Sequence, residues 1–225
     1  MLTGGEVVIN TLLSRNVDQV FFVAGGTYIT VLEALSRYKT SIRATPTRLE
    51  SSAVFAAEVY GAIKRKPASV FVSRAPGATN AAIGIHTAMQ SSRPLILFIA
   101  NIPQAQKGKE AFQEIDYLGM YGPIAKKVFD VASFQEISEV TARAIDLSIM
   151  GRPGPVVVVL AKDVLDGVTG TPLIPKGSST VSSGPEPNSI DAAAELIRNA
   201  SHPIILAGEM INFENASADL KALST

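Results

Sequence analysis

The chain has 225 residues, 47% of them hydrophobic and 18% charged, enough for one sizeable domain and part of another. Its formal net charge is zero, with no Lys/Arg block and no acidic tail, so there is no electrostatic case for nucleic acid or an anionic membrane as partner. Cysteine is absent, which excludes disulfides, thiolate metal sites and cysteine nucleophiles and fits a reducing cytosol. The opening MLTGGEVVINTLLSRN lacks the basic-then-apolar order of a signal peptide, and no run reaches the length of a membrane span. The expectation is a soluble, cytoplasmic protein.

Residues 3–14 place Val7, Val8, Thr11 and Leu12 on one helical face, and 28–38 do the same with Val31, Leu32 and Leu35. The apolar runs 20–24, 69–72, 95–100 and 156–160 are short and nearly continuous, as in strands buried on both faces of a parallel sheet. A further strand is expected at 41–45. Helices are expected at 49–64 and 78–89, both Ala-rich, and at 134–150, with Ser133 as N-cap. The polar stretch 104–122 reads as an exposed loop. Strand–helix alternation predicts an α/β fold, an open and mainly parallel sheet with helices on both faces. Ligands in such sheets bind beyond the C-terminal strand ends. That rule points to Ala24-Gly25-Gly26, to Ser73-Arg74-Ala75-Pro76-Gly77 and to Ala100-Asn101-Ile102-Pro103.

Residues 1–165 form the first predicted domain. Residues 166–189, rich in Gly, Pro, Ser and Thr, read as a linker. Residues 190–225 offer a helix (190–200), an apolar run read as a strand (203–207) and the beginning of another helix (216–223). One strand and two helices cannot bury a core of their own. This segment is expected to be the incomplete start of a second α/β domain or a docked appendage.

Three places could carry chemistry. Glu50 follows a predicted strand and opens an apolar helix; by itself it is more often a carboxylate that complements the helix dipole. The segment Ser73–Asn80 leads from strand to helix and reads as a turn in which Gly77, lacking a Cβ, would let a flat ligand approach. It is neither a Walker loop nor a dinucleotide G-x-G-x-x-G turn. Phe112-Gln113-Glu114 is either a mobile loop or a functional one. His86 and His202 lie far apart, and neither a Ser/His/Asp arrangement nor a metal-ligand spacing is visible, so no metal site is expected on this chain.

Together these segments resemble the acetolactate synthase-like branch of the thiamine-diphosphate (ThDP) enzymes. Val20-Phe21-Phe22-Val23-Ala24-Gly25-Gly26 is similar to the VFGxPGG strand and turn, and Arg48-Leu49-Glu50 to R-H-E. Pro76–Asn80 reads PGATN unchanged, Ala111–Glu114 reads AFQE, Gly151–Val156 reads GRPGPV, and Ala161–Val164 is similar to PKDV. The order holds over residues 1–165, so the resemblance is to the pyrimidine-binding (PYR) domain. The linker and tail resemble the start of the family's central domain.

The resemblance implies that Glu50 hydrogen-bonds N1′ of the cofactor's aminopyrimidine. It thereby supports removal of the thiazolium C2 proton and attack on the carbonyl of a 2-keto acid. The cofactor does the organic chemistry, while the protein orients it and relays protons; a carboxylate partly buried among apolar groups suits such a relay. By the same match Ser73, Pro76 and Asn80 line the pyrimidine pocket, and Gln113 reaches the reacting end as a second catalytic residue. Phe112 and Lys162 lie toward the substrate entrance, and Arg152 matches a residue that contacts FAD in flavin-containing members. Leu49 stands where His is usual, Ala24 where Pro is usual, and Arg74-Ala75 where Ser-Gly is usual. Carboligase, decarboxylase and lyase chemistry therefore all stay open.

No Gly-Asp-Gly segment of the kind that holds Mg²⁺ and the diphosphate occurs in these residues. The chain alone is expected neither to bind Mg²⁺–diphosphate nor to turn over substrate. It is compatible with an N-terminal part of a longer enzyme, a subunit of a split enzyme, or a non-catalytic binding or regulatory relic. The resemblance implies a diphosphate-binding domain in cis or on a partner subunit and a homo-oligomer built through the PYR domain.

Overall fold

The computed structural model describes residues 1–169 and 184–224. In chain order the elements are β1 (Leu2–Thr3), α1 (Gly4–Ser14), β2 (Gln19–Phe22), α2 (Ile29–Arg37), β3 (Arg43–Pro46), α3 (Glu50–Lys64), β4 (Ala68–Ser73) and α4 (Arg74–Gln90). Then come β5 (Leu95–Asn101), α5 (Tyr117–Tyr121), β6 (Lys127–Val131), α6 (Ile137–Ile149), β7 (Pro155–Ala161), α7 (Lys162–Asp166) and β8 (Val168–Thr169).

Six strands form one parallel sheet in the order β3-β2-β4-β5-β7-β6, and β1 pairs antiparallel with β8. Side chains alternate across the strands, so each central strand feeds two cores. Phe71, Ile96, Phe98, Val156 and Val158 face α1, α2 and α6. Val70, Val72, Leu97, Ile99 and Val157 face α3, α4 and α5. Each such side chain, fully buried, contributes about 1.5–3 kcal/mol. Phe71 and Phe98, in register on β4 and β5, stack at 4.7 Å between centroids. On the second face α3 and α4 meet closely at Gly84, where a Cβ would fall 2.6 Å from Val54 Cγ1.

Local signals and packing agree for most elements. At α1, Thr3 and Glu6 form a capping box: Thr3 Oγ1 accepts the Glu6 amide at 3.2 Å, and the Glu6 carboxylate accepts the Thr3 amide at 2.8 Å. Val7, Val8, Thr11 and Leu12 are all buried, as their spacing predicts. None of the helices among the described residues is long and apolar enough to cross a membrane.

Three expectations about the sheet and its helices are corrected, and one strand is added. The Ser73–Asn80 segment is not a loop, since α4 begins at Arg74. Pro76 is tolerated there because a first-turn amide has no intrahelical partner to lose. The 104–122 stretch is not wholly an exposed loop: α5 forms within it and buries Tyr117 and Tyr121, whose hydroxyls donate to Asn101 Oδ1 and to the Ala78 carbonyl. Ser133 makes no capping hydrogen bond; a 3₁₀ turn at Phe134–Glu136 precedes α6, and Glu136 accepts the Ala132 amide instead. β6 is an additional strand. Its sequence Lys-Val-Phe-Asp-Val mixes charged and apolar residues because it is a sheet edge with partial exposure.

The chain divides into two compact units, Met1–Ser178 and Ser179–Thr225. Of the proposed linker, residues 170–183 lie outside the described residues; α7 and β8 occupy 166 and 168–169 in the first unit. The second unit holds α8 (Pro187–Asn199), α9 (Met210–Phe213) and α10 (Ser217–Leu223). The expected strand at 203–207 does not form: Ile204 and Leu206 are 94% and 97% exposed, and among the described residues of this unit there is no strand for it to pair with.

Candidate functional site

The C-terminal edge of the sheet gathers the ends of β2 to β5 and β7. At the end of β3, the Thr47 amide donates to the Phe22 carbonyl at 2.8 Å, and Thr47 Oγ1 donates to the Leu49 carbonyl at 2.9 Å. These bonds hold the short connection to β2 and deliver Glu50 to the first turn of α3. Leu49, the N-cap, contributes no side-chain acceptor.

Glu50 is half-buried. Its Oε2 accepts from Asn80 Nδ2 at 3.0 Å, which ties α3 to α4. Its Oε1 has no hydrogen-bond partner among the described residues and lies 3.4 Å from where a Cβ on Gly77 would sit. A Cβ there would also meet Val72 Cβ at 3.2 Å, so the missing side chain keeps space beside the carboxylate. Thus Glu50 has one oxygen fixed by an amide and one with spare accepting capacity.

Ser73, at the end of β4, shares a 2.6 Å hydrogen bond with Thr27 in the turn after β2. The neighbouring Tyr28 is buried and donates to the Val23 and Phe71 carbonyls, clamping the ends of β2 and β4. Burial pushes its phenol pKa upward, and the negative charge of Glu50 adds to that rise. Sequence reasoning missed Thr27 and Tyr28; their position directly after the Gly25-Gly26 turn was the available signal.

The Gln113 segment docks on the start of α4. Gln113 adopts φ +68° and its carbonyl accepts the Ala75 amide at 3.3 Å. Glu114 turns inward on its own loop, accepting the Gly108 amide at 2.6 Å and the Ala111 amide at 3.0 Å. Those bonds, Gly108 first, hold its carboxyl below the usual 4.5. Phe112 projects outward, 79% exposed.

The structure therefore brings Glu50, Ser73, Pro76, Asn80 and the Gln113 backbone to neighbouring positions on one edge. Lys162 sits on the same edge at the start of α7, where it pairs with Asp166. Arg152 does not join them. It precedes β7, at the opposite edge, where its Nε donates to Ser92 Oγ at 2.8 Å and its Nη2 to the Met89 and Gln90 carbonyls at 2.8 and 3.1 Å. Those carbonyls end α4, so Arg152 is a helix C-cap supplied from elsewhere in the chain.

A parallel α/β domain with a half-free carboxylate at its ligand-binding edge defines a small-molecule or cofactor-binding class. Residues 2–120 match the family model described as thiamine pyrophosphate enzyme, N-terminal TPP binding domain. The chain belongs to that family. It is similar to a probable acetolactate synthase large subunit of Methanocaldococcus jannaschii, with 33% identity over 99% of this chain and 38% of the relative. It is also similar to the acetolactate synthase isozyme 3 large subunit of Escherichia coli K12, with 34% identity over 92% of this chain and 37% of the relative. A mitochondrial acetolactate synthase of Schizosaccharomyces pombe is 32% identical over 92% of this chain and 32% of the relative. The chain thus spans well under half the length of these curated relatives.

Proposed function

We propose that these residues form the cofactor-activating part of a ThDP-dependent carboligase or decarboxylase acting on 2-keto acids. The carrying observation is Glu50, held through one oxygen by Asn80 and open at the other beside Gly77. When bound, the cofactor supplies a carbanion equivalent and an electron sink for C–C bond chemistry. The chain's own part is to present Oε1 to a ring nitrogen of the pyrimidine and so hold a proton there. Ser73 and Pro76 would wall that ring. Gln113, anchored to Ala75, would reach toward the reacting end; Phe112 and Lys162 would face the entering substrate.

The residues fit the pyrimidine half of the cofactor. The diphosphate and its Mg²⁺ would be held by a diphosphate-binding domain, in cis or on a partner subunit. The exposed apolar residues Phe55, Val59, Ile63 and Ile83 on α3 and α4 support assembly over this face, and a homo-oligomer is the form we expect. Arg152 fits a flavin poorly because its Nη2 already caps α4 and its Nε is bonded to Ser92. The reading therefore makes no use of FAD through it. A cytoplasmic setting accords with the absence of cysteine.

In the complete assembly, Glu50→Gln should slow hydrogen–deuterium exchange at C2 of bound ThDP by roughly 10²–10⁴-fold. Exchange equal to wild type at equal cofactor occupancy would remove Glu50 from the proton relay. A wild-type assembly that binds ThDP without accelerating exchange would make the chain a binding module.

A further inference from the structure

We infer that Arg74 is a specificity-determining residue, placed to bind a second anionic group on the 2-keto acid substrate. The inference rests on the ThDP reading and deepens it. Arg74 directly follows Ser73 and lies two residues before Pro76, both of which that reading assigns to the pyrimidine pocket. Its nearest backbone neighbour, Ala75, carries the hydrogen bond to the Gln113 carbonyl. A group extending from Arg74 therefore starts between the pyrimidine wall and the loop assigned to the reacting end.

Three observations show that Arg74 is not there for the fold. It opens α4 with φ +48°, a left-handed conformation unfavourable to a residue with a Cβ. It puts a cation at a helix N-terminus, where the macrodipole opposes it. And the fold does not compensate: its Nε is buried without a partner, and no side-chain hydrogen bond or ion pair of Arg74 exists among the described residues.

The side chain lies near Tyr117, on the short helix that follows the Gln113 segment. Burial pushes the Tyr117 phenol up to about 12, and the positive charge of Arg74 is the main influence pulling it back. Two carboxylates act on the same tyrosine, and both are engaged elsewhere: Glu114 is spent on the Gly108 and Ala111 amides and Asp130 pairs with Lys107, and neither forms an ion pair with Arg74. A part-buried guanidinium whose nearby carboxylates are engaged elsewhere suits an incoming carboxylate, which it can grip through two parallel N–H donors. A monoanionic 2-keto acid has its only carboxylate at the reacting centre. A dianionic one has a second for Arg74.

The test uses the complete ThDP-loaded assembly, with pyruvate as the monoanionic and 2-ketoglutarate as the dianionic substrate. Wild type should favour the dianionic acid. Arg74→Ser should lower the ratio of dianionic to monoanionic kcat/KM by roughly 10- to 100-fold, the range for losing a charge-assisted hydrogen bond. Arg74→Lys should recover part of that ratio, as a charge without the planar fork. A wild type indifferent to the second carboxylate would overturn the assignment. So would an Arg74→Ser variant that lowers both substrates equally, whether or not the oligomer weakens, since that marks an interface or structural role. Wild-type C2 exchange separates the two readings. If it is not accelerated, the ThDP reading fails; if it is accelerated and the Arg74→Ser ratio does not move, only the Arg74 assignment fails.

Discussion

The two edges of the central sheet treat their polar groups differently. At the N-terminal edge the charged groups are largely consumed by the fold. Arg152 caps α4, Lys126 Nζ donates to the Leu147 and Met150 carbonyls at the end of α6, and Lys66 pairs with Asp18, which also accepts from Tyr60. At the C-terminal edge capacity is left over: one oxygen of Glu50 and the guanidinium of Arg74 have no partner among the described residues. Near the N-terminal edge the buried atoms without partners are Ser69 Oγ, of an uncharged hydroxyl, and Arg15 Nε, of a guanidinium that already pairs with Asp146; charged groups left without partners are costlier, so those at the C-terminal edge point to something outside the fold.

The contrast is broken most directly by exchanging loss of function for loss of stability across the two edges. Glu50→Gln should give the largest effect, in C2 exchange, while leaving the unfolding midpoint close to wild type. Arg152→Ala should do the reverse. It strips hydrogen bonds from the end of α4 and should cost about 1 kcal/mol of unfolding free energy, with C2 exchange at saturating ThDP unaltered. If Arg152→Ala instead weakened flavin or ThDP binding at unchanged stability, the division between the edges would be wrong.

Asn80→Ala probes the boundary of the division, because Asn80 serves the fold and the site at once. It removes the 3.0 Å bond that fixes Glu50 Oε2. The carboxylate remains but is free to turn, so C2 exchange should fall by roughly tenfold, the equivalent of one hydrogen bond. Asn80→Asp should be worse than Ala, because a second carboxylate would face Glu50. Equal rates for the two variants would mean that Asn80 does not set the position of Glu50.

Much of this was legible in the sequence. The four apolar runs are strands because central parallel strands are buried on both faces and tolerate few polar residues. The ligand-binding edge followed from the direction of those strands. What was not legible depends on contacts distant in sequence. α5 is only five residues long and is held by hydroxyls reaching Asn101 and Ala78, partners that periodicity does not reveal. Arg152 reads as a family motif residue, yet its partners lie some sixty positions earlier. The same limit applies to Glu50: its place at a helix start was visible, but not the oxygen left open beside Gly77. The capping box formed by Thr3 and Glu6 went unread, although T-x-x-E before an apolar run carries that signal.

Glu114 gives the smallest effect and the finest test, since it sits on the ligand-binding edge but behaves like a group of the other one. Its carboxylate is committed to the Gly108 and Ala111 amides, and its pKa is therefore depressed in the folded chain. The sign follows. A carboxyl whose folded pKa lies below its unfolded value stabilises the loop above the unfolded value near 4.5, and that contribution is lost as pH falls through the lower, folded one. Protection factors of the Gly108 and Ala111 amides against hydrogen exchange should thus hold near neutrality and decline in acid below the ordinary carboxylate range. Glu114→Gln should flatten this decline, because an amide oxygen accepts at every pH. The change should be modest, since the residue is partly exposed and solvent screens its carboxylate. Protection that declines equally in the variant would assign the acid sensitivity to another group, and the loop bearing Gln113 would then be held chiefly by its bond to Ala75.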